Sequence, residues 1–202
     1  DNVDGDISES IITTGSVDTD VLGTYTIKFN VSDAIGNPAI EMVRTVNVVD
    51  NVNPVITLIG NPTITIEAGD PYSDQGATAS DNLDGDISAN IITVNPVDNG
   101  IPGTYTITYN VADTSNNNAT QVTRTVVVED TTNPSITLLD NNLPLIIPFN
   151  GIYDDPGVET SDNSTTPLSL TDNITVSNPN TSITGAYTIT YTVKDSSDNA
   201  ES

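Results

Sequence analysis

Residues 104–111 read TYTITYNV, placing Tyr105, Ile107, Tyr109 and Val111 at alternate positions and Thr104, Thr106, Thr108 and Asn110 between them. A period of two sends successive side chains to opposite faces, so this is the pattern of a half-buried β-strand. The same alternation recurs with Tyr25, Ile27, Phe29 and Val31, and again with Tyr187, Ile189, Tyr191 and Val193. Shorter strands are predicted at VITLI (55–59), TITIEA (63–68), GATAS (76–80), NIITV (90–94) and TRTVVVE (123–129). Clusters of Gly, Pro, Asn and Asp separate them and supply turn geometry. No segment carries a helical period. About seven short strands in some eighty residues predict an all-β fold built from β-sandwiches.

The strands belong to a repeat. DNVDGDISESIITTGSV from Asp1 matches DNLDGDISANIITVNPV from Asp81, and the register holds through GTYTIKFNVSD against GTYTITYNVAD and through RTVNVVD against RTVVVED. A third copy opens with NPSITL at Asn133, against NPVITL at Asn53, and runs to GAYTITYTVKD after a drift of two residues. The chain therefore divides into 1–50, the C-terminal part of a repeat; 51–130, a complete repeat; and 131–202, a repeat lacking its last strand. Such ends fit a portion of a longer tandem array. Strand exchange between chains is the alternative, because a module short of one strand leaves an open edge.

Composition narrows the chemistry. The formal net charge of −24, with 28 acidic residues against four basic ones, offers nothing to neutralise phosphates, which argues against nucleic acid and anionic membranes as partners. Without Cys or His, thiol catalysis, disulfides, zinc sites of the usual kind and the usual neutral-pH proton shuttle are excluded. Only oxygen ligands remain. No apolar run approaches the roughly 18 residues of a membrane span, so this segment is not expected to insert directly into a membrane.

The repeat as a whole, PVITLIG…TITIEAGDPYSDQGATASDNLDGDIS…PGTYTITYNVAD…VTRTVVVED, resembles the bacterial and archaeal Ig-like repeats, related to hyalin-type repeats, of cell-surface, S-layer and adhesin proteins. The PGTYTITY segment is similar to the tyrosine corner of Ig-like sandwiches, which makes Tyr25, Tyr105 and Tyr187 the corner residues. The resemblance implies tandem immunoglobulin-like β-sandwiches of about 80 residues and an extracellular, cell-surface location. Modules of this kind act as spacers and display stalks on many different proteins, so the likeness constrains fold more than function.

If GATASD and NIITV are strands B and C, the acidic stretch SDNLDGDIS (80–88) is the loop between them. ADTSNNN (112–118) is then the F–G loop at the same pole, where the linker VVDNVNP (48–54) also enters. This linker and its counterpart VEDTTNP (128–134) resemble the Asp/Asn-rich linkers that hold calcium between cadherin domains. Ca²⁺ takes six to eight oxygens from carboxylates, carbonyls and water. The first junction offers Asp50, Asn51, Asn53, Asp81, Asn82, Asp84, Asp86, Asp113 and Asn117; the first repeat repeats part of the set as Asp1, Asp4, Asp6 and Asp33. The third copy, with SDNSTTPLSL in place of the acidic loop, keeps Asp130, Asn133, Asp162, Asp195 and Asp198, so a site there should be weaker or hold fewer ions. Without a cation, such crowding repels or titrates upward. Against calcium stands turn chemistry: Asp-Gly is a strong turn signal, Asx side chains satisfy their own loops, and the spacing is not that of an EF-hand.

Arg44 and Arg124 share one repeat position and are expected to pin the last strand to an acidic neighbour, while Lys28 and Lys194 are read as solvated. Sequons at Asn30, Asn118, Asn163, Asn173 and Asn180 suit a glycosylated surface protein. Acidic residues recurring in equal register favour a structural role over a single catalytic centre, and the chain is not expected to be an enzyme. The reading is an extracellular stalk, surface-layer or fibre component with cation-stiffened junctions, its partners being neighbouring copies of the same repeat, including homopolymeric assembly. The alternative is an adhesin or carbohydrate-binding accessory module that recognises a surface glycan. Strands of eight to ten residues at about 3.3 Å each give modules roughly 30 Å long.

Overall fold

The computed structural model describes residues 2–139, 145–165 and 180–201. Module one contributes a single antiparallel sheet in the order β1 (Ile12–Thr14), β2 (Gly23–Asn30), β3 (Met42–Val48). Module two is a complete sandwich. One of its sheets joins β4 (Val55–Leu58), β6 (Ala77–Asp81) and β7 (Gly85–Asp86); the other runs β5 (Thr63–Glu67), β10 (Val122–Glu129), β9 (Gly103–Asn110), β8 (Ile92–Val94). Among its described residues module three shows two short antiparallel pairs, β11 (Ser135–Leu138) with β12 (Val158–Ser161) and β13 (Val193–Lys194) with β14 (Ala200–Glu201).

The alternation read from the sequence becomes burial in module two. Ile107, Tyr109, Val111 and Val126 meet Ile56, Ala79 and Ile87 across the two sheets, each less than a tenth exposed. Removing an aliphatic side chain of this size from water contributes about 1.5–3 kcal/mol. β10 is central to the arrangement: it pairs parallel with β5 and antiparallel with β9, from Val126 opposite Tyr105 to Arg124 opposite Ile107. Tyr105 donates from its hydroxyl to the Ile101 carbonyl at 2.9 Å, and Tyr25 does the same to Val21 at 2.8 Å, the tyrosine corner that the PGTYTITY segment implies.

The acidic stretch 80–88 is more structured than a loop. β6 turns back through Gly85, which takes a left-handed φ of 71°, so that Asp81 pairs with Gly85 and Ser80 with Asp86 before a 3-10 turn at Ser88–Asn90. Asp-Gly acts here as hairpin chemistry.

Arg124 lies wholly within the sandwich. Its guanidinium pairs with Asp74, meets the Tyr109 hydroxyl at 3.2 Å, and donates to the carbonyls of Asn61 (3.1 Å), Gly76 (3.3 Å) and Ile59. Asp74 also accepts from Tyr109 at 2.7 Å. Ile59 and Asn61 bracket Gly60, where the chain leaves the first sheet for the second, so one cation ties three elements and the crossing point together. Arg44 departs from the expected ion pair: it is exposed and stacks over Phe29 at 5.6 Å, and no counterpart of Asp74 stands opposite it among the described residues. Lys28 and Lys194 remain half exposed, beside Glu41 and Asp198.

The strand expected at 187–193 is seen only at its end, as β13. Residues 185–192 have no strand partner among the described residues, and Ile189 and Tyr191 are half-buried where their counterparts Ile107 and Tyr109 are fully buried.

Candidate metal centres

Three segments deliver one aspartate each to the pole of module two that faces module one. Asp50 follows β3 in the linker, Asp81 closes β6, and Asp113 opens the loop after β9; one carboxylate oxygen from each lies within 4.8 Å of the others. Each of these segments is folded by its own aspartate. The Val52 N–H donates to Asp50 Oδ1 (3.1 Å), those of Leu83 and Asp84 to Asp81 Oδ2 (2.8 and 3.2 Å), and that of Asn117 to Asp113 Oδ1 (2.7 Å). The hydrogen bond from Leu83 is the main cause holding the Asp81 carboxyl below the ordinary aspartate value. Asp50 Oδ2 and Asp81 Oδ1 are buried without a hydrogen-bond partner.

The same construction recurs one repeat later with Asp130 after β10, Asp162 after β12 and Asp195 after β13. Asp130 and Asp195 are 8% and 3% exposed, and Asp130 Oδ1, Asp162 Oδ1 and Asp195 Oδ2 are buried and unpartnered. Burial, followed by the charges of Asp162 and Asp195, raises the Asp130 pKa. Orphaned carboxylate oxygens at this depth are costly unless something positive satisfies them. The donor set is all oxygen, which suits a hard divalent cation such as Ca²⁺.

An asparagine four residues after the third aspartate stitches each centre. Asn117 Nδ2 reaches Asp113 Oδ2 (2.7 Å) and the Asp50 carbonyl (3.3 Å); Asn199 Nδ2 reaches the Asp130 carbonyl at 2.9 Å while its N–H donates to Asp195 Oδ1, also at 2.9 Å. In module one Asn37 binds Asp33 in the same way, at 2.7 and 2.6 Å. The same D-x-x-x-N spacing stands in the sequence at Asp33–Asn37, Asp113–Asn117 and Asp195–Asn199, but of these asparagines only Asn117 is among the candidate ligands read from the sequence.

Other candidate residues lie apart from the clusters. Asp84 accepts from the Thr114 N–H (2.7 Å) and hydroxyl (2.8 Å), stapling the hairpin to the loop after β9, as Asp4 does with the Ala34 N–H at 3.0 Å. Asp86 and Asp6 accept from the N–H groups of Ser88 and Ser8, both at 2.9 Å, and the serine hydrogen bonds lower both carboxyls. Asn51, Asn53, Asn82 and Asn133 are exposed. Asp1 lies outside the described residues, as does any partner it gives Asp33. The charge in SDNLDGDIS thus divides: Asp81 faces the cluster, while Asp84 and Asp86 build the scaffold that holds it.

Glu67 escaped the sequence reading because its partners are distant in the chain. At the end of β5 it accepts from the N–H and hydroxyl of Thr131 (2.8 and 2.9 Å), those of Thr132 (3.1 and 2.8 Å) and Asn163 Nδ2 (3.2 Å). These bonds, that from the Thr131 N–H foremost, lower its pKa to about 2. Beside it Asn163 Nδ2 also donates to the Ala68 carbonyl at 2.7 Å, and a Cβ on Gly69, whose φ is +83°, would meet the Asn163 carbonyl oxygen at 2.6 Å. Module three is thereby clasped to module two next to its carboxylate cluster.

The chain belongs to the family of bacterial surface protein Ig-like domains, whose profile matches residues 1–48, 56–128 and 137–202. Among solved structures it is similar to the lipoprotein BT2262 from Bacteroides thetaiotaomicron, at 28% identity over 41% of this chain and 43% of that one, with a TM-score of 0.35. It is also similar to a structure of CBM51-2, in complex with GlcNAc, and INT domains from Clostridium perfringens ZmpB, at 24% identity over 54% of this chain and 26% of that one, with a TM-score of 0.32. The chain thus spans less than half the length of either. No curated protein sequence matches it. Among the described residues no helix is long and apolar enough to cross a membrane.

Proposed function

We propose that the chain is a non-catalytic extracellular spacer of a bacterial surface, serving as part of a stalk, surface layer or fibre, and that calcium bound at its junctions stiffens it. The observation that carries this reading is the convergence of three aspartates from three separate segments at each junction, with buried carboxylate oxygens left unpartnered. Asp50 with Asp81 and Asp113, and Asp130 with Asp162 and Asp195, would hold the ion; backbone carbonyls and water complete a shell of the size calcium takes. A bound cation neutralises like charges and links linker, hairpin and loop, which restricts the swing of one module on the next. Membership in a family of surface Ig-like domains supports the location.

Thermal unfolding with calcium, with magnesium and with chelator tests this. An ion that binds only the folded chain stabilises it by about 2.7 kcal/mol at a hundredfold excess over Kd, so calcium should raise the melting temperature and chelator should reverse the gain. Magnesium, which demands a tighter octahedron and sheds water reluctantly, should act more weakly. Asp113→Asn combined with Asp195→Asn should abolish the calcium response. Identical melting curves under all conditions would reduce the aspartates to turn-formers.

A further inference from the structure

Glu67 belongs to module two, yet its carboxylate holds two of the three segments that carry the second carboxylate cluster. Thr131 and Thr132, which follow Asp130 directly, donate their N–H groups to it at 2.8 and 3.1 Å and their hydroxyls at 2.9 and 2.8 Å. Asn163, which follows Asp162 directly, donates its Nδ2 to the same carboxylate at 3.2 Å and to the Ala68 carbonyl at 2.7 Å. Two residues further on, the Thr165 N–H and hydroxyl donate to the Gly100 carbonyl at 2.8 and 2.9 Å, and a Cβ on Gly100 would stand 2.9 Å from the Thr165 side chain. A carboxylate offers about four acceptor sites. Five donors occupy this one, so Glu67 is an anchor for the neighbours of the ligands and not a ligand itself.

Within the cluster each carboxylate is divided between two tasks. Asp130 Oδ2 accepts from the Ser197 hydroxyl at 3.2 Å, Asp162 Oδ2 from the Ser164 N–H at 3.4 Å, and Asp195 Oδ1 from the N–H groups of Ser197 and Asn199 at 2.8 and 2.9 Å. The other oxygen of each is buried without a partner, and Asp130 and Asp195 are more than nine-tenths buried. Like charges this close repel. Repulsion acts to part the segments that carry them, and two of those, 130–132 and 162–163, are the ones Glu67 ties together.

We propose that Glu67 is the positioning residue of the cation site at the second junction: closing the clasp assembles the ligands, and binding the ion closes the clasp. This inference rests on the calcium reading above. Ion affinity and clasp closure are then linked reciprocally, so the factor that the clasp adds to affinity is the factor that the ion adds to clasp closure. Calcium thereby fixes module three against module two through a carboxylate that never touches the ion.

The test uses the 202-residue chain carrying Asp113→Asn, which removes a ligand from the first cluster and leaves one ion to follow by calorimetric titration with calcium. Glu67→Gln should weaken calcium binding about tenfold, the loss expected when a group that orients metal ligands is removed. Glu129 lies opposite Glu67 in the β5–β10 pairing and is exposed. Glu129→Gln therefore removes the same charge and spares the clasp, and should weaken binding less than about threefold, because exposed charges are screened. Thr131→Val with Thr132→Val keeps the Glu67 charge, deletes two of its five bonds and should also weaken binding. At the other end of the linkage, calcium should slow amide exchange at Thr131 and Thr132, and the slowing should shrink in Glu67→Gln by a factor comparable to the lost affinity. One ion bound with equal affinity by the parent and by Glu67→Gln, or equal losses in Glu67→Gln and Glu129→Gln, would overturn the proposal and leave the calcium reading standing. Calcium slowing of exchange that is the same in the parent and in Glu67→Gln would do likewise. A parent chain that binds no calcium would sink both.

Discussion

Modules two and three carry the same alternating segment and treat it differently. In TYTITYNV the residues Ile107 and Tyr109 are wholly buried; in AYTITYTV the aligned Ile189 and Tyr191 are only half-buried, and among the described residues regular strand begins at Val193. The segments share the alternating pattern, so amphipathicity alone does not decide how deeply each residue is buried. β9 has β8 on one edge and β10 on the other, whereas residues 185–192 have no ladder on either among the described residues. Period-two patterning specifies a surface capable of being a strand. Backbone N–H and C=O groups commit to the strand only when another backbone offers partners.

The sharpest way to break the comparison is to make module two resemble module three. Arg124→Ala removes the cation from Asp74 and from three carbonyls, leaving a carboxylate in a nearly sealed site. Loss of one partner from a buried pair costs about 3–5 kcal/mol, so chemical denaturation should show module two unfolding at much lower denaturant. Arg44→Ala, at the same repeat position and exposed on Phe29, should change stability by less than about 1 kcal/mol.

A smaller effect is expected where the two modules join. Glu67→Gln keeps the shape of the clasp and weakens five hydrogen bonds by removing charge; solvent screening limits the loss to about 1 kcal/mol. The corresponding pH dependence has a definite sign. Because the folded pKa, about 2, lies below the ordinary 4.5, the stabilisation is complete above pH 4.5 and fades as pH falls from there towards 2. Spin-label distances between modules two and three should broaden across that window in the native chain, and Glu67→Gln should show the broadening already at neutral pH.

Smallest is the tyrosine corner. Tyr105→Phe deletes one hydrogen bond in a closed sandwich and should cost about 1 kcal/mol. Tyr187→Phe, whose hydroxyl bonds Ile183 at 3.1 Å and Asn180 at 3.0 Å from a half-exposed ring, should cost less. Equal losses at the two positions would mean that the open module is as tightly packed as the closed one.

The sequence alone was enough for the repeat, the all-β class and the tyrosine corners, since those depend on local period and on residues four apart. It also marked Asp50, Asp81 and Asp113 as neighbours, because strand polarity puts the start of one strand and the ends of two others at a single pole. The division of labour within the acidic stretch was hidden: Asp81, Asp84 and Asp86 look alike in the chain, and only the hairpin return through Gly85 turns the first towards the cluster and the others towards Thr114 and Ser88. Glu67 was invisible for a similar reason, its acceptor oxygens being claimed by Thr131, Thr132 and Asn163, some 64 to 96 positions away. Local sequence sets which backbone shapes are cheap; which carboxylate is left without a partner depends on what the rest of the fold brings within 3 Å.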